Sequence, residues 1–184
     1  MIVLASQSPR RAELLRNAGF EFRVQPAHIP EEKQPHETPA DYVQRLARAK
    51  ARTVFAQLDG TEIVLGADTT VVIDGGVLEK PADAEDAKRM LRKLSGRTHE
   101  VLTGVCVKGK DFEDVQVETT VVQFATLSEA ELDDYVATGE PMDKAGAYGI
   151  QGMASRYCER IEGDYFNIVG LPIPRVYRML KARI

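Results

Sequence analysis

Ile2-Val-Leu-Ala-Ser-Gln-Ser-Pro-Arg-Arg-Ala-Glu-Leu-Leu15 opens the chain and sets its architecture. Residues 2–5 are a short apolar run that reads as a buried strand. Ser8 is suited to cap a helix, and Pro9 to its first position, where the missing N–H would be unpaired anyway. Apolar spacing continues through Leu14, Leu15 and Ala18, and Gly19 is placed to end the helix. Arg10 and Arg11 stand in the first turn, although the positive end of a helix favours acids there and a capping box would put Glu at position 11. Either the two arginines are solvated on a surface helix, or an anion sits at this end. Strand, hydroxyl-rich turn, helix N-terminus and two guanidinium groups together describe a phosphate cradle.

The chain of 184 residues fits one domain, or one domain with two lobes around a cleft. Its net charge of −4 argues against a general nucleic-acid binder, so any polyanion must meet cations gathered at one place. Cys106 and Cys158 are not closely spaced, and His28, His36 and His99 are scattered, which gives neither a disulfide framework nor a zinc pattern. Reduced core thiols in a cytosol are the default. No apolar stretch approaches membrane-spanning length, and no export signal is expected at the N-terminus.

Residues 20–24 alternate as a strand with one buried face. Residues 26–35 form a polar loop carrying Glu31 and Glu32. Thr38-Pro39-Ala-Asp41 starts a long helix with an apolar face through Val43, Leu46, Ala47 and Val54. Lys50 falls on that face. It either snorkels to water at the helix edge or delivers its ammonium into a cleft. Next comes Ile63-Val-Leu65, then Gly66-Ala-Asp68-Thr69, which interrupts a buried run before Thr70-Val-Val-Ile73. An aspartate in such a run is costly unless paired, hydrogen-bonded or metal-bound, so Asp68 is the strongest single signal of function. Gly66 allows close backbone approach or a bulge.

Asp74-Gly-Gly76 predicts a hairpin whose return strand leads to Lys80, near enough to share a space with Asp68. Asp83 caps a helix to about Leu94. Residues 101–107 and 115–124 are alternating, apolar-rich runs, and Ser128-Glu-Ala-Glu131 is a capping box. Residues 140–152 form a glycine-rich loop of mixed chemistry containing Gln151, whose amide has one donor side and one acceptor side. Glu162-Gly-Asp164 predicts a hairpin between residues 156–161 and 165–169, and a last helix runs from about Arg175 to Lys181. Early strand–helix alternation followed by hairpins gives α/β or α+β with a mixed sheet. Neither a Walker loop nor a Gly-x-Gly-x-x-Gly fingerprint is present.

Ser6-Gln-Ser-Pro-Arg-Arg11, Gly66-Ala-Asp-Thr69, Glu79-Lys-Pro81, Leu94-Ser-Gly-Arg-Thr-His99 and Lys144-Ala-Gly-Ala-Tyr-Gly-Ile-Gln-Gly152, taken together, closely resemble the Maf family. The resemblance runs from the first strand to Gly170-Leu-Pro172. Maf proteins are house-cleaning nucleoside triphosphate pyrophosphatases. The resemblance implies a two-lobed α/β fold in which an elongated mixed sheet, flanked by helices, surrounds a central cleft, as in inosine triphosphate pyrophosphatases. It also implies a divalent metal, Mg²⁺ or Mn²⁺, a cytoplasmic location and frequent homodimers, with no nucleic-acid or membrane partner expected. Residue by residue, it places Ser6, Arg10, Arg11, Lys50 and Lys80 on the substrate phosphates. The resemblance also makes Asp68 the catalytic base and Glu31, with Asp68, the metal ligand. Pro30 stands where many members have another acid, which leaves Glu31 and Glu32 as alternatives for that role. Arg10, Thr69 and Gln151 match the subfamily resembling dTTP/UTP pyrophosphatases. The sibling subfamily acting on 7-methyl-GTP has Trp, Gln and Glu at those positions. A different class, a nucleotide-sensing protein linked to cell division, is disfavoured by the intact Asp68, Lys50 and Lys80 set.

Overall fold

Ser8 caps as its position before Pro9 suggests. In the computed structural model, which describes residues 1–183, its Oγ accepts from the Arg11 backbone N–H at 3.4 Å, and Pro9 opens helix α1 (Pro9–Asn17). Helix α1 follows strand β1 (Ile2–Leu4) and leads to β2 (Phe22–Val24), which lies parallel to β1. Thr38 caps helix α2 (Pro39–Phe55), its Oγ1 accepting from Asp41 N–H at 3.1 Å. Strand β3 (Ile63–Ile73) then pairs parallel to the other side of β1. The chain moves one way across the sheet from β1 to β2 and the other way from β2 to β3. Right-handed crossovers therefore set α1 and α2 on opposite faces. The carboxyl end of β1 lies at the switch between those directions, where open α/β sheets characteristically receive ligands.

The small residues of 66–69 do not break β3, which runs through them as one strand of 11 residues. Gly66 serves close approach. A Cβ there would lie 2.3 Å from the Ala47 carbonyl oxygen and 2.9 Å from the Ala51 nitrogen. In β5 (Thr98–Lys108) a Cβ on Gly104 would fall 2.2 Å from the Val43 carbonyl oxygen. Helix α2 thus lies directly on two bare stretches of strand, and a methyl at either would have to displace helix backbone. The core beneath it is correspondingly small-chained: Val3, Ala5, Ala47, Ala51, Val54, Val64 and Cys106 are all fully buried.

Asp74 (φ 53°) and Gly75 (φ 71°) form the left-handed pair of a tight hairpin, which returns β4 (Gly76–Leu78) antiparallel to β3. Asp83 caps α3 (Ala84–Leu94), and Ser128 with Glu131 makes the reciprocal capping box of α4 (Glu129–Ala137). Strands β5, β6 (Glu113–Phe124) and β7 (Cys158–Glu162) extend the sheet to seven strands in the order β2-β1-β3-β5-β6-β7, with β4 on β3. Short 3₁₀ turns at 140–143, 145–147 and 153–157 occupy the glycine-rich region, and α6 (Ile173–Lys181) closes the chain.

Two expectations fail. Residues 20–24 do not form a strand with one buried face: β2 covers Phe22–Val24 alone, and Val24 is exposed at this edge of the sheet. Residues 165–169 are not a return strand after Glu162-Gly-Asp164 but a short helix, α5 (Tyr165–Val169). Asp164 Oδ1 accepts from Phe166 N–H at 2.8 Å, an N-terminal cap rather than a hairpin contact. Buried Asn167 donates to the Val101 carbonyl at 2.9 Å and to Thr120 Oγ1 at 3.0 Å, which anchors the helix.

The chain divides into two compact units. The first comprises residues 1–69, 103–118 and 170 onward; the second comprises 70–102 and 119–169. The first is built from β1, α1, β2, α2 and α6 with parts of β3, β5 and β6. In the second, α3 packs on α4, and His99, Phe124 and Tyr148 form a buried edge-to-face aromatic cluster. No helix among the described residues is long and apolar enough to cross a membrane.

Candidate active site

Successive residues of a strand face opposite ways, so Asp68 and Thr69 serve the two faces of β3. Asp68 shares the face of Gly66, against α2. The close approach made possible by Gly66 brings Lys50 to it. Lys50 does not snorkel: its side chain is buried, and Nζ lies 2.7 Å from Asp68 Oδ1 and 2.6 Å from Glu31 Oε1. One ammonium therefore joins two carboxylates. The Asp68 side chain is 11% exposed, whereas the Glu31 side chain is half exposed at 50%.

Helix α2 also fixes the loop that carries Glu31. Tyr42 Oη donates to the Glu31 carbonyl at 2.8 Å, Arg45 donates to the Glu32 carbonyl at 3.0 Å, and Arg45 Nε lies 2.6 Å from Glu37 Oε1. Of the neighbouring acids Glu31 and Glu32, Glu31 is the one whose carboxylate meets Lys50. Burial pushes Asp68 above the ordinary carboxylate value, while Lys50 and Arg11 pull it back towards the ionised form. A buried carboxylate with raised proton affinity and adjacent cations is a good arrangement for a general base.

Thr69, on the opposite face, meets Arg11. The Arg11 side chain is buried and held at three points. Nε donates to the Gly170 carbonyl at 2.8 Å, Nη1 to Ser6 Oγ at 3.2 Å and Nη2 to Thr69 Oγ1 at 3.0 Å. Ser6, just beyond β1, also accepts from the Ser8 backbone N–H at 3.2 Å. Thr69 Oγ1 lies 2.9 Å from Thr103 Oγ1 and donates to Gly170 O at 3.3 Å. Burial lowers the pKa of Arg11, and the charges of Asp68 and Glu31 oppose that shift. All three anchors of Arg11 are neutral oxygens. A guanidinium has five N–H donors, so the clamp leaves capacity for an anion. Arg10, half-buried next to it in α1, adds a second positive charge at the helix N-terminus.

Thr103 and Gly170 were not among the expected site residues. Thr103 is a fully buried hydroxyl in the otherwise apolar run 101–107 of β5, the kind of interruption that singled out Asp68. Gly170 has φ 124°, accessible in practice to glycine alone, and its position by the clamp depends on a contact far along the sequence.

Lys80 and Gln151 lie in the second unit, and both are exposed. The Glu79 carbonyl accepts from Gly146 N–H at 3.1 Å, tying the Lys80 segment to the glycine-rich loop. Gly146 has φ 70°, and a Cβ there would lie 2.7 Å from Val71 Cγ2. Gln151 stands in the turn between the 3₁₀ segments at 145–147 and 153–157.

Among the described residues no group of three or more His, Cys, Asp or Glu side chains is arranged to hold an ion. The two carboxylates that share Lys50 are, however, what Mg²⁺ commonly takes from a protein when phosphate oxygens and water complete its shell. Glu31 and Asp68 therefore fit a hard divalent cation that arrives with a polyphosphate.

A family model described as Maf-like protein matches residues 1–183. A dTTP/UTP pyrophosphatase of Koribacter versatilis is 62% identical over 180 residues, covering 98% of this chain and 93% of the relative. A dTTP/UTP pyrophosphatase of Symbiobacterium thermophilum is 54% identical over 179 residues, covering 97% and 92%. Among solved structures, the Staphylococcus aureus Ham1 protein aligns with a TM-score of 0.56 at 14% identity, over 100% of this chain and 99% of that one. At that identity the likeness shows the fold alone.

Proposed function

The chain belongs to the Maf family, and from that premise we propose that it is a nucleoside triphosphate pyrophosphatase acting on dTTP and UTP. The observation that carries this reading is the pairing, within one unit, of a buried Asp68–Lys50 ion pair, joined by half-exposed Glu31, with the Arg11 clamp. The activity named for the two relatives supports it, and the 7-methyl-GTP and purely nucleotide-sensing alternatives are not favoured.

In this reading the triphosphate is cleaved between its α- and β-phosphates to a monophosphate and pyrophosphate. Ser6, Arg10, Arg11, Lys50 and Lys80 bind the phosphate oxygens through charge-assisted hydrogen bonds of roughly 1.5–3 kcal/mol each. Asp68 orients a water and takes its proton. Lys50 keeps that carboxylate ionised against the cost of burial and holds it in one orientation. Thr69, Ser6 and Gly170 fix the plane of the Arg11 guanidinium before substrate arrives, so little ordering is left for the reaction itself. A divalent cation held by Glu31 and Asp68 would neutralise phosphate charge when bound.

Gln151 is assigned to the base. Uracil and thymine present an N3–H donor beside an O4 acceptor, and a carboxamide can answer both. A flipped amide could also meet cytosine, so CTP and modified pyrimidine nucleotides remain within the reading. Arg10 and Thr69 complete the specificity set. The same proposal places the protein in the cytoplasm as a homodimer acting on free nucleotides, with neither nucleic acid nor membrane as partner. Burial pushes the Cys106 thiol up to about 12 and the Cys158 thiol up to about 11, which suits reduced structural cysteines.

The test is kcat/KM for UTP, dTTP, CTP and 7-methyl-GTP with the parent and with Gln151→Glu. A glutamate is acceptor-only when ionised and faces O4 with repulsion. The variant should lose about 5- to 30-fold on UTP and dTTP, corresponding to roughly 1–2 kcal/mol for an unmatched polar group, while pyrophosphate inhibition stays near the parent value. A parent that prefers 7-methyl-GTP, or a variant with an unchanged UTP preference, would overturn the pyrimidine assignment.

A further inference from the structure

The turn that carries Gln151 is held from both sides by one device, built from buried Tyr135 and half-buried Glu140. Two residues before Gln151, the Gly149 backbone N–H donates to Tyr135 Oη at 3.3 Å. Two residues after it, the Met153 backbone N–H donates to Glu140 Oε2 at 3.1 Å. The two anchors are joined, because Tyr135 Oη donates to Glu140 Oε1 at 2.9 Å. A carboxylate and a phenol thus bracket the five residues 149–153 in a closed chain of hydrogen bonds.

Several features serve this arrangement. The Tyr135 side chain is fully buried in α4, so its hydroxyl position is fixed by packing. Burial together with Glu140 raises the pKa of the phenol, so it remains a donor throughout the neutral range. A Cβ on Gly152 would lie 2.2 Å from Glu140 Oε1, and only glycine leaves room for the carboxylate to pass under the turn. Lys144 Nζ donates to the Glu140 carbonyl at 2.6 Å and to Asp143 Oδ1 at 2.7 Å, which fixes the start of the loop. Its aliphatic stem occupies the place a Gly149 Cβ would take, 2.6 Å from Lys144 Cε.

We propose that Glu140, acting through Tyr135, is the positioning residue for base recognition: it sets the backbone of the Gln151 turn, and with it the direction of the amide presented to the pyrimidine. This inference rests on the assignment of Gln151 to the base. Glu140 touches neither base nor phosphate in this account. Removing it should therefore loosen the reading of the base while leaving phosphate binding and the proton-transfer step in place.

The experiment compares Glu140→Ala, Glu140→Gln and Tyr135→Phe with the parent in steady-state hydrolysis of UTP, dTTP and CTP. Inhibition by inorganic pyrophosphate supplies a readout that contains no base. Glu140→Ala should raise KM for UTP and dTTP by about 5- to 30-fold and narrow their preference over CTP, with kcat and pyrophosphate inhibition within about twofold of the parent. Glu140→Gln should recover most of the loss, because its carboxamide oxygen can still accept from Met153 N–H and its NH₂ can donate to the phenol. Tyr135→Phe, which keeps the packing but cuts the link to Gly149, should reproduce the direction of the alanine effect.

Unchanged KM and base preference in Glu140→Ala would overturn the proposal. So would pyrophosphate inhibition weakening in step with UTP, which would mean a general loss of structure. Should Glu140→Ala fail to fold, Tyr135→Phe decides on the same criteria. A parent that hydrolyses no pyrimidine triphosphate would instead sink the underlying reading, and is seen before any variant is made.

Discussion

Asp68→Asn should give a folded protein whose kcat for UTP falls by about 10²- to 10⁴-fold, the range for a positioned general base. The carboxamide keeps the shape of the side chain and loses its proton affinity. Lys50 retains Glu31 as a counter-ion at 2.6 Å, so the node does not leave an unpaired buried cation. The pH profile supplies an independent readout. Burial raises the Asp68 pKa, so protonation disables the base at a pH above the ordinary carboxylate value of about 3.9. Activity of the parent should rise as pH increases through that ionisation, and the limb should vanish from the residual activity of Asp68→Asn. Thermal unfolding and circular dichroism establish that the variant is folded. Equal kcat in variant and parent at saturating substrate and metal would remove Asp68 from the role of base.

Arg11→Lys should weaken every triphosphate alike, by about 10²-fold or more in kcat/KM, the loss of two charge-assisted bonds at roughly 1.5–3 kcal/mol each. The substitution keeps the charge, but a single ammonium cannot reach Gly170 O, Ser6 Oγ and Thr69 Oγ1 together and still present a flat pair of donors to phosphate. The ratio of UTP to CTP activity should not move, because Arg11 is assigned to phosphate alone and Thr69 keeps its contacts with Thr103 Oγ1 and the Gly170 carbonyl. Steady-state kinetics on both substrates measures this. A variant that changed base preference while keeping its affinity for pyrophosphate would contradict the phosphate assignment.

Much of the helical framework was legible because its signals are local. Ser8 before Pro9, Thr38 before Pro39 and the Ser128–Glu131 box each form within one helical turn, and each helix starts where its cap predicts. Asp68 stood out because a carboxylate in a buried strand must be compensated. The direction of Lys50 was open at the level of sequence, since an apolar helix face gives a lysine stem two exits. Gly66 closes that choice by letting α2 settle onto β3, a contact 15 or more residues away along the chain from Lys50. Thr103 and Gly170 act through contacts 34 and 101 residues from Thr69, and the Glu140–Tyr135 bracket through bonds that reach 13 and 14 residues along the chain, beyond any one-turn pattern. At Glu162-Gly-Asp164 a local pattern pointed the wrong way, because Asp164 can serve a hairpin or cap a helix. Buried Asn167, bonded to Val101 and Thr120, favours the helix.

The bond that is cut distinguishes a pyrophosphatase from a γ-phosphatase. A single turnover of the protein in excess over UTP labelled in its γ-phosphate, quenched and separated, identifies the first labelled product. The label should appear in intact pyrophosphate, with UMP formed at the same rate. Label appearing first in inorganic phosphate, together with UDP, would show cleavage of the γ-phosphate and contradict the pyrophosphatase reading.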